Sequence, residues 1–484
     1  VEADTNVSGG ESLIRQFVHG QRFFKDELGV ECELMWLPDV FGYSGAMPQI
    51  MAGCGIKYFS TQKIFWAYNS EVTFPLNTFW WEGIDGSQVL VHLHNNYNSR
   101  TNPASVIERW TERVQKNDFS TRLLPFGWGD GGGGPTRNHL EFLRRQKNLE
   151  GVPKTVIASP IDYFKEQEQQ PIPERYVGEL YFKAHRGTYT SQAKTKLGNR
   201  RSEFALREAE MWSVAAASKG YTFPAATMDE MWKLVLLNQF HDIIPGSSIQ
   251  RVYEEAEADY AKVLAAAADV TKGATSVLAP SADALTVFNS LSWERKVLVP
   301  LPSEWYGAED ENGLLTTQNI DGTMWVEVTV PALGWKTIHE EDPLAMANPL
   351  TVTQSSLENE FLKVELDALG QITSIFDKES GRELATGPCN ALKMYKDIPT
   401  SWDAWDLDSM YEETPVPLED DASIMVTERG PLVASIQVRR MLNDSPMTQT
   451  ISLRAGSRRV EFHTVIDWQE SHKLLKVDFP VGIY

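Results

Sequence analysis

Two aspartates sit where a carboxylate can meet a ligand. Leu34-Met35-Trp36-Leu37-Pro38 delivers Asp39 ahead of Val40-Phe41-Gly42-Tyr43-Ser44-Gly45, and the run over 122–126 leads through Gly127-Trp128-Gly129 to Asp130. Each follows a strand-like run and precedes a flexible turn into a helix. Where helices cover a parallel sheet, ligands bind beyond the carboxyl ends of the strands. The plain alternative is a helix cap or an Asx turn; two such aspartates, each flanked by Trp, weaken it. A third candidate is His241-Asp242, where an apolar helix stops before Pro245-Gly246. A histidine in a last helical turn gains from the helix dipole without doing chemistry. Here, however, a ring nitrogen can reach a metal while a carboxylate stands beside it. The four glycines over 131–134 precede Pro135-Thr136-Arg137 rather than Gly-Lys-Ser/Thr, so they are a poor phosphate cradle. They suit close approach of the backbone to a bulky neutral ligand.

The elements that must hold these residues alternate. Strand-like runs at 32–37, 56–61, 88–93, 122–126 and 154–158 interleave with helical stretches at 46–52, 104–115 and 136–148, the last opened by Pro135. This pattern predicts a parallel sheet covered by helices. Thr227-Met228-Asp229-Glu230 reads as a capping box ahead of a helix ending near His241. With 201–219 and a long helix from Ser248 to about Ala268, it predicts three helices. Beyond about residue 284 the period changes to two, at 285–288, 325–330, 361–366, 372–376, 432–438 and 460–466, which predicts an antiparallel sandwich. Within it, Ser401-Trp402-Asp403-Ala404-Trp405-Asp406 reads either as a solvated acidic loop or as one reaching toward a sugar site.

Composition narrows the classes. The 484 residues exceed one ordinary core. A net charge of -21 argues against binding nucleic acid or anionic lipid, and no run of 18 apolar residues predicts a spanning helix. Cys32, Cys54 and Cys389 are too few for a disulfide framework, which points to a reducing, cytoplasmic location. Fifteen tryptophans are many, and indoles stack on sugar rings as well as filling cores.

Several segments together resemble glycoside hydrolase family 38 α-mannosidases. Trp36-Leu37-Pro38-Asp39-Val40-Phe41-Gly42-Tyr43-Ser44-Gly45 is similar to that family's nucleophile segment. Asn238-Gln239-Phe240-His241-Asp242-Ile243-Ile244-Pro245-Gly246 resembles its zinc-ligand histidine segment. Thr78-Phe79-Trp80-Trp81-Glu82-Gly83-Ile84-Asp85-Gly86, His185-Arg186-Gly187-Thr188-Tyr189-Thr190 and Phe126-Gly127-Trp128-Gly129-Asp130-Gly131 are similar to its cytosolic and bacterial branch.

The resemblance implies a multidomain chain. Its parts are an α/β barrel over 1–172, partial because its N-terminal strand is missing, a three-helix bundle over 173–278 and a β-sandwich-like C-terminal domain over 279–484. It implies retaining, metal-dependent hydrolysis of terminal α-mannosides with one zinc ion. Asp39 is expected as nucleophile and metal ligand, His241 as a second ligand, and Asp130 as the candidate general acid/base. Asp242, Trp80, Trp81, Tyr97, Lys63 and Arg186 are expected to bind substrate. Retention needs two carboxyl groups about 5–5.5 Å apart, and zinc on Asp and His ligands acts as a template for sugar hydroxyls. The family's other two zinc ligands lie in a His-x-Asp segment, and His19 lacks that pattern. They are expected upstream of Val1, which marks the chain as an internal piece that binds zinc poorly and is inactive alone. The partner is an α-mannoside oligosaccharide, with homo-oligomerisation left open. Two other classes compete: a carbohydrate-binding module without turnover, and a metal-dependent sugar deacetylase on a related barrel.

Overall fold

The structure, a computed structural model, describes residues 1–66, 73–280, 283–343 and 347–482. The chain forms two compact units. The first holds Val1–Ala274 together with Ser401–Asp406, and the second holds Thr275–Thr400 and the chain from Leu407 onward.

The first unit opens with helix α1 (Gly10–Leu28), closed by Gly29 in the left-handed region at φ 67°. Then come β1 (Leu34–Trp36), α2 (Met47–Gly53), β2 (Tyr58–Thr61), β3 (Thr78–Glu82), β4 (Gln88–Leu93), α3 (Pro103–Thr111), α4 (Arg137–Gln146), α5 (Pro160–Gln167) and β5 (Arg175–Val177). The sheet order is β1-β2-β4-β3-β5. β1, β2 and β4 run parallel, whereas β3 is antiparallel to β4. The apolar side of the sheet buries Phe59, Phe79, Trp81, Val91 and Leu93 against Met47 and Met51 of α2.

The sheet departs from expectation in two ways. Residues 122–126 and 154–158 form no strand; Phe126 makes a single bridge to Ser99, and Val156 is 83% exposed. An apolar run without a neighbouring edge cannot satisfy its backbone as a ladder. The strand that does form instead, β3, begins at the Trp-rich segment. Also, α4 starts one residue later than read. Thr136 is its cap, with His139 completing the box, so Pro135 lies outside.

Helices α6 (Ala193–Ala217), α7 (Ala225–Asn238) and α8 (Gln250–Leu278) share one core of Leu206, Met231, Trp232, Val235, Val263 and Ala267. Thr227 does not cap α7. The helix begins earlier, behind Pro224, with no side-chain cap. α8 runs ten residues past its expected end, because Val270, Ala274 and Leu278 continue its buried stripe.

The second unit is antiparallel throughout. β6 (Leu285–Asn289), β7 (Arg295–Pro300), β8 (Ala308–Asp310), β9 (Gly313–Leu314), β10 (Thr317–Ile320), β11 (Thr323–Val330) and β12 (Gly334–Glu340) make two small sheets, β10-β11-β7 and β6-β12-β8-β9. Val326, Val328, Val330 and Ile338 pack between them. Further on, Ala422–Arg429, Val433–Leu442, Ser445–Arg454 and Val460–Ile466 form a four-stranded sheet. Alternate residues such as Ile436, Val438, Ile451 and Leu453 point into a core shared with Leu357, Val364 and Ile372. No helix among the described residues is long and apolar enough to cross a membrane.

Candidate active site

Asp39 lies just past β1, in a turn fixed from three sides. The Leu37 amide donates to the Ser60 carbonyl at 3.1 Å, the buried Tyr43 hydroxyl donates to the Leu37 carbonyl at 2.8 Å, and the Thr5 hydroxyl donates to the Gly42 carbonyl at 2.8 Å. Gly42 has φ 112°, and a Cβ there would lie 2.8 Å from the Asn6 amide nitrogen. The positive φ therefore favours glycine there, and a side chain would also have to displace the Asn6 amide.

His241 is not in the last turn of a helix, because α7 ends at Asn238. It sits in the tight turn beyond, tied to the start of the chain. The His241 amide donates to the Glu2 carbonyl at 3.1 Å, and the Asp4 amide donates to the Gln239 carbonyl at 2.9 Å. The ring Nδ1 is also 3.1 Å from the Glu2 carbonyl oxygen. A carbonyl only accepts, so Nδ1 carries a hydrogen, and Nε2 is the ring nitrogen turned away from the chain start. Nε2 faces Asp39 Oδ2 at 3.9 Å and Asp242 Oδ2 at 3.7 Å. Thus β1 and the α7 turn deliver two carboxylates and one imidazole to a common point.

Aromatic groups and a buried amine surround this point. Lys63, which follows β2, places its ammonium 2.8 Å from Asp39 Oδ1 and 3.6 Å from the centre of the Trp66 ring. Phe41 stands edge-on to His241 at 6.1 Å and to His185 at 4.8 Å. The Ser401–Asp406 loop does enter the site. The Trp405 indole donates to Asp242 Oδ1 at 3.3 Å, and Asp406 accepts the backbone amide of His185 and lies 3.2 Å from its Nδ1. Burial holds the His185 imidazole below its usual pKa, against the opposing pull of Asp406.

Asp130 lies at the tip of its glycine loop with φ 50° and accepts from the Tyr97 hydroxyl at 3.2 Å. The Tyr97 phenol is held well above its ordinary range, by burial first and then by the negative charges of Asp39, Asp130 and Asp242. Tyr97 thus feels all three carboxylates.

Other candidates fall elsewhere. Trp81 is fully buried, its ring tilted against Phe59 at 5.5 Å and its indole bonded to the Gly178 carbonyl, so it is a core side chain and not a sugar contact. Trp80, one residue earlier, points to the other side of β3 and packs in the cluster of Tyr58 and Phe164. Arg186 is exposed and bonded to the Lys183 carbonyl, with its guanidinium 5.1 Å from the Tyr181 ring. Its neighbour His185 is the residue that turns inward. Residue types alone did not single out Glu2, Phe41, Trp66 or His185.

Comparison with known proteins decides the family. Residues 1–188 match the glycosyl hydrolases family 38 N-terminal domain, 183–278 the alpha mannosidase middle domain, and 357–484 the family 38 C-terminal domain. The chain belongs to glycosyl hydrolase family 38. Its relatives include "Alpha-mannosidase 2C1" of Homo sapiens, 36% identical over 504 residues, which match all of this chain and 47% of the relative. "Alpha-mannosidase" of Saccharomyces cerevisiae is 32% identical over 511 residues, covering all of this chain and 44% of that protein. The family 38 chain therefore spans about half the length of the curated relatives it matches. An alpha-mannosidase from Enterococcus faecalis V583 shares the fold at TM-score 0.80 and 18% identity, over 99% of this chain and 66% of that one.

Two donors of the site fit a metal. His241 Nε2 and Asp39 Oδ2 are 3.9 Å apart, less than two bonds of about 2.1 Å laid end to end. Among the described residues, no group of three or more His, Cys, Asp or Glu has the arrangement to hold a metal by itself.

Proposed function

We propose that this chain supplies the nucleophile Asp39 and the metal-facing His241 of a site that hydrolyses terminal α-D-mannose residues from α-mannosides, with retention at the anomeric carbon. The observation that carries the reading is the convergence of Asp39, His241 and Asp242 at the ends of β1 and α7, with Lys63 neutralising one oxygen of Asp39. In this reading residues 1–172 of the first unit are the α/β-barrel part of the catalytic domain, and α6–α8 are the three-helix middle domain.

Asp39 attacks the anomeric carbon and Asp130 protonates the departing oxygen, then deprotonates the incoming water. Lys63 holds Asp39 Oδ1, which leaves Oδ2 toward His241. Asp242, held by Ser247 at 2.7 Å and by Trp405, accepts hydrogen bonds from sugar hydroxyls. Asp39 and His241 would hold zinc as two of the four donors that such an ion takes. When bound, the ion supplies charge stabilisation and a template for vicinal hydroxyls.

The test is covalent trapping. A slowly released 5-fluoro mannosyl fluoride should leave one glycosyl adduct on the peptide containing Asp39, and Asp39→Asn should remove it. Mannoside turnover with no adduct at Asp39 would overturn the reading. Saccharide binding without any turnover would instead support a binding module.

A further inference from the structure

Away from the Asp39 cluster, the small sheets of the second unit border an open groove of about 580 Å³. That lies within the range of small-molecule sites. It lies against the β8–β9 hairpin, β11 and β12, and its lining is divided in character. Trp335, Leu314 and Pro331 are apolar, with Trp335 38% and Leu314 41% exposed. Glu294, Asn312 and Thr329 line it with exposed polar side chains.

The Trp335 ring is braced. It faces Phe288 in register on the neighbouring strand, with ring centres 5.5 Å apart. An indole held this way, yet more than a third exposed, is a platform without an occupant of its own. Polar neighbours are pre-set as well: Lys336 Nζ is 2.9 Å from Asp310 Oδ2 and also pairs with Glu311.

Charge and polarity sort the ligand classes. Glu294, Asp310, Glu311 and Glu327 line the groove against the single amine of Lys336, which disfavours phosphates and other anions. A divalent cation is disfavoured too, because the Lys336 ammonium stands between the two carboxylates that would bind it. A purely apolar ligand would strand the polar groups. A sugar satisfies both halves, laying its C–H face on the indole and its hydroxyls on carboxylate, amide and hydroxyl acceptors.

The geometry points to a second saccharide site, separate from the Asp39 cluster, in which a short neutral glycan lies against Trp335. This goes beyond the hydrolysis reading and does not depend on it.

The experiment uses the full chain in an Asp39→Asn background, with its 15 tryptophans fluorine-labelled and the Trp335 resonance assigned by Trp335→Phe. α-Mannotriose, calcium chloride and inorganic phosphate are titrated separately. The expected result is a saturable shift of the Trp335 resonance with the trisaccharide alone. By calorimetry, Trp335→Ala should weaken that binding by about tenfold or more, as truncation of an aromatic anchor does. Trp335→Phe, which keeps a ring, should retain most of it. With Asp39 intact, Trp335→Ala should leave aryl α-mannoside hydrolysis unchanged. The proposal is overturned if the resonance responds to calcium or phosphate and not to the trisaccharide. It is equally overturned if Trp335→Ala and Trp335→Phe bind the trisaccharide alike. Absent hydrolysis with this binding intact would count against the hydrolysis reading alone.

Discussion

The ammonium of Lys63 and the carboxylate of Asp39 form an ion pair at 2.8 Å, with the lysine side chain only 6% exposed and the aspartate 24%. The pair divides the two oxygens of Asp39: Oδ1 is held by Lys63, whereas Oδ2 faces His241. The faces of Trp66 and Phe41, 3.6 Å and 5.4 Å from the amine, hold the cation in place of water.

Lys63→Met should therefore damage the protein twice. Removing one partner of a largely buried pair leaves the other charge uncompensated. Because Asp39 keeps some contact with solvent, about 3 kcal/mol of folding stability is the expected loss, the low end for such pairs. Urea unfolding measures it. Turnover of an aryl α-mannoside should fall by a larger factor than Lys63→Arg produces, since arginine keeps the charge. Equal effects from the two variants would mean that the amine only fills space.

A second prediction concerns pH. Lys196 at the start of α6 donates to the carbonyls of Ser191 at 2.6 Å and Ile244 at 2.8 Å, and so ties down the turn that carries His241-Asp242. Burial lowers its ammonium from 10.5 to about 8, against the pull of Asp4. The folded pKa lies below the unfolded one, so between those values the unfolded chain binds more protons. Raising the pH through that window then favours the folded state through this group. The stability of the parent protein relative to Lys196→Met should increase from about pH 8 to pH 10. A difference that stays flat or falls would refute the assignment.

How much of this was legible in the sequence differs from residue to residue. Asp39 and His241 stand in dense local motifs, so their environment was readable without coordinates. Glu2 was not singled out, because its partner is 239 residues away, and the loop ending in Asp406 was read without its partner His185, 221 residues away, since such contacts leave no local pattern. Trp80 and Trp81 misled in the opposite direction. Aromatic pairs suggest sugar contact, but in β3 the two indoles point to opposite sides, and one fills a core. The runs 122–126 and 154–158 carry strand-like residues, and strand formation needs an edge to pair with as well as a propensity.

Trp405 should matter for affinity. Its indole N–H reaches Asp242 Oδ1 at 3.3 Å, while Ser247 holds the same oxygen at 2.7 Å. Trp405→Phe keeps the ring and removes only the donor. One net hydrogen bond of about 1 kcal/mol corresponds to about a fivefold rise in KM. Thermal stability should change little, and steady-state kinetics on an aryl α-mannoside reads the effect. A loss confined to kcat would contradict a role in holding Asp242 for the ground-state sugar.

Asp130 poses the sharpest chemical question. A non-glycine residue at φ 50° is uncommon, and here the strain sits inside a glycine loop. Tyr97 pins that loop, donating to the carboxylate at 3.2 Å, and Gly129 passes so close that a Cβ would come within 2.7 Å of the tyrosine ring. If Asp130 is the group that protonates the leaving oxygen, its loss must depend on how much protonation the leaving group needs. Asp130→Asn should slow a phenyl α-mannoside by about a hundredfold or more, the usual worth of a general acid. α-Mannosyl fluoride, whose fluoride departs without a proton, should lose much less in its first step. Tyr97→Phe keeps the carboxylate and should sit between the parent and Asp130→Asn. Equal losses on both substrates would assign Asp130 to binding and leave the acid to another carboxyl group.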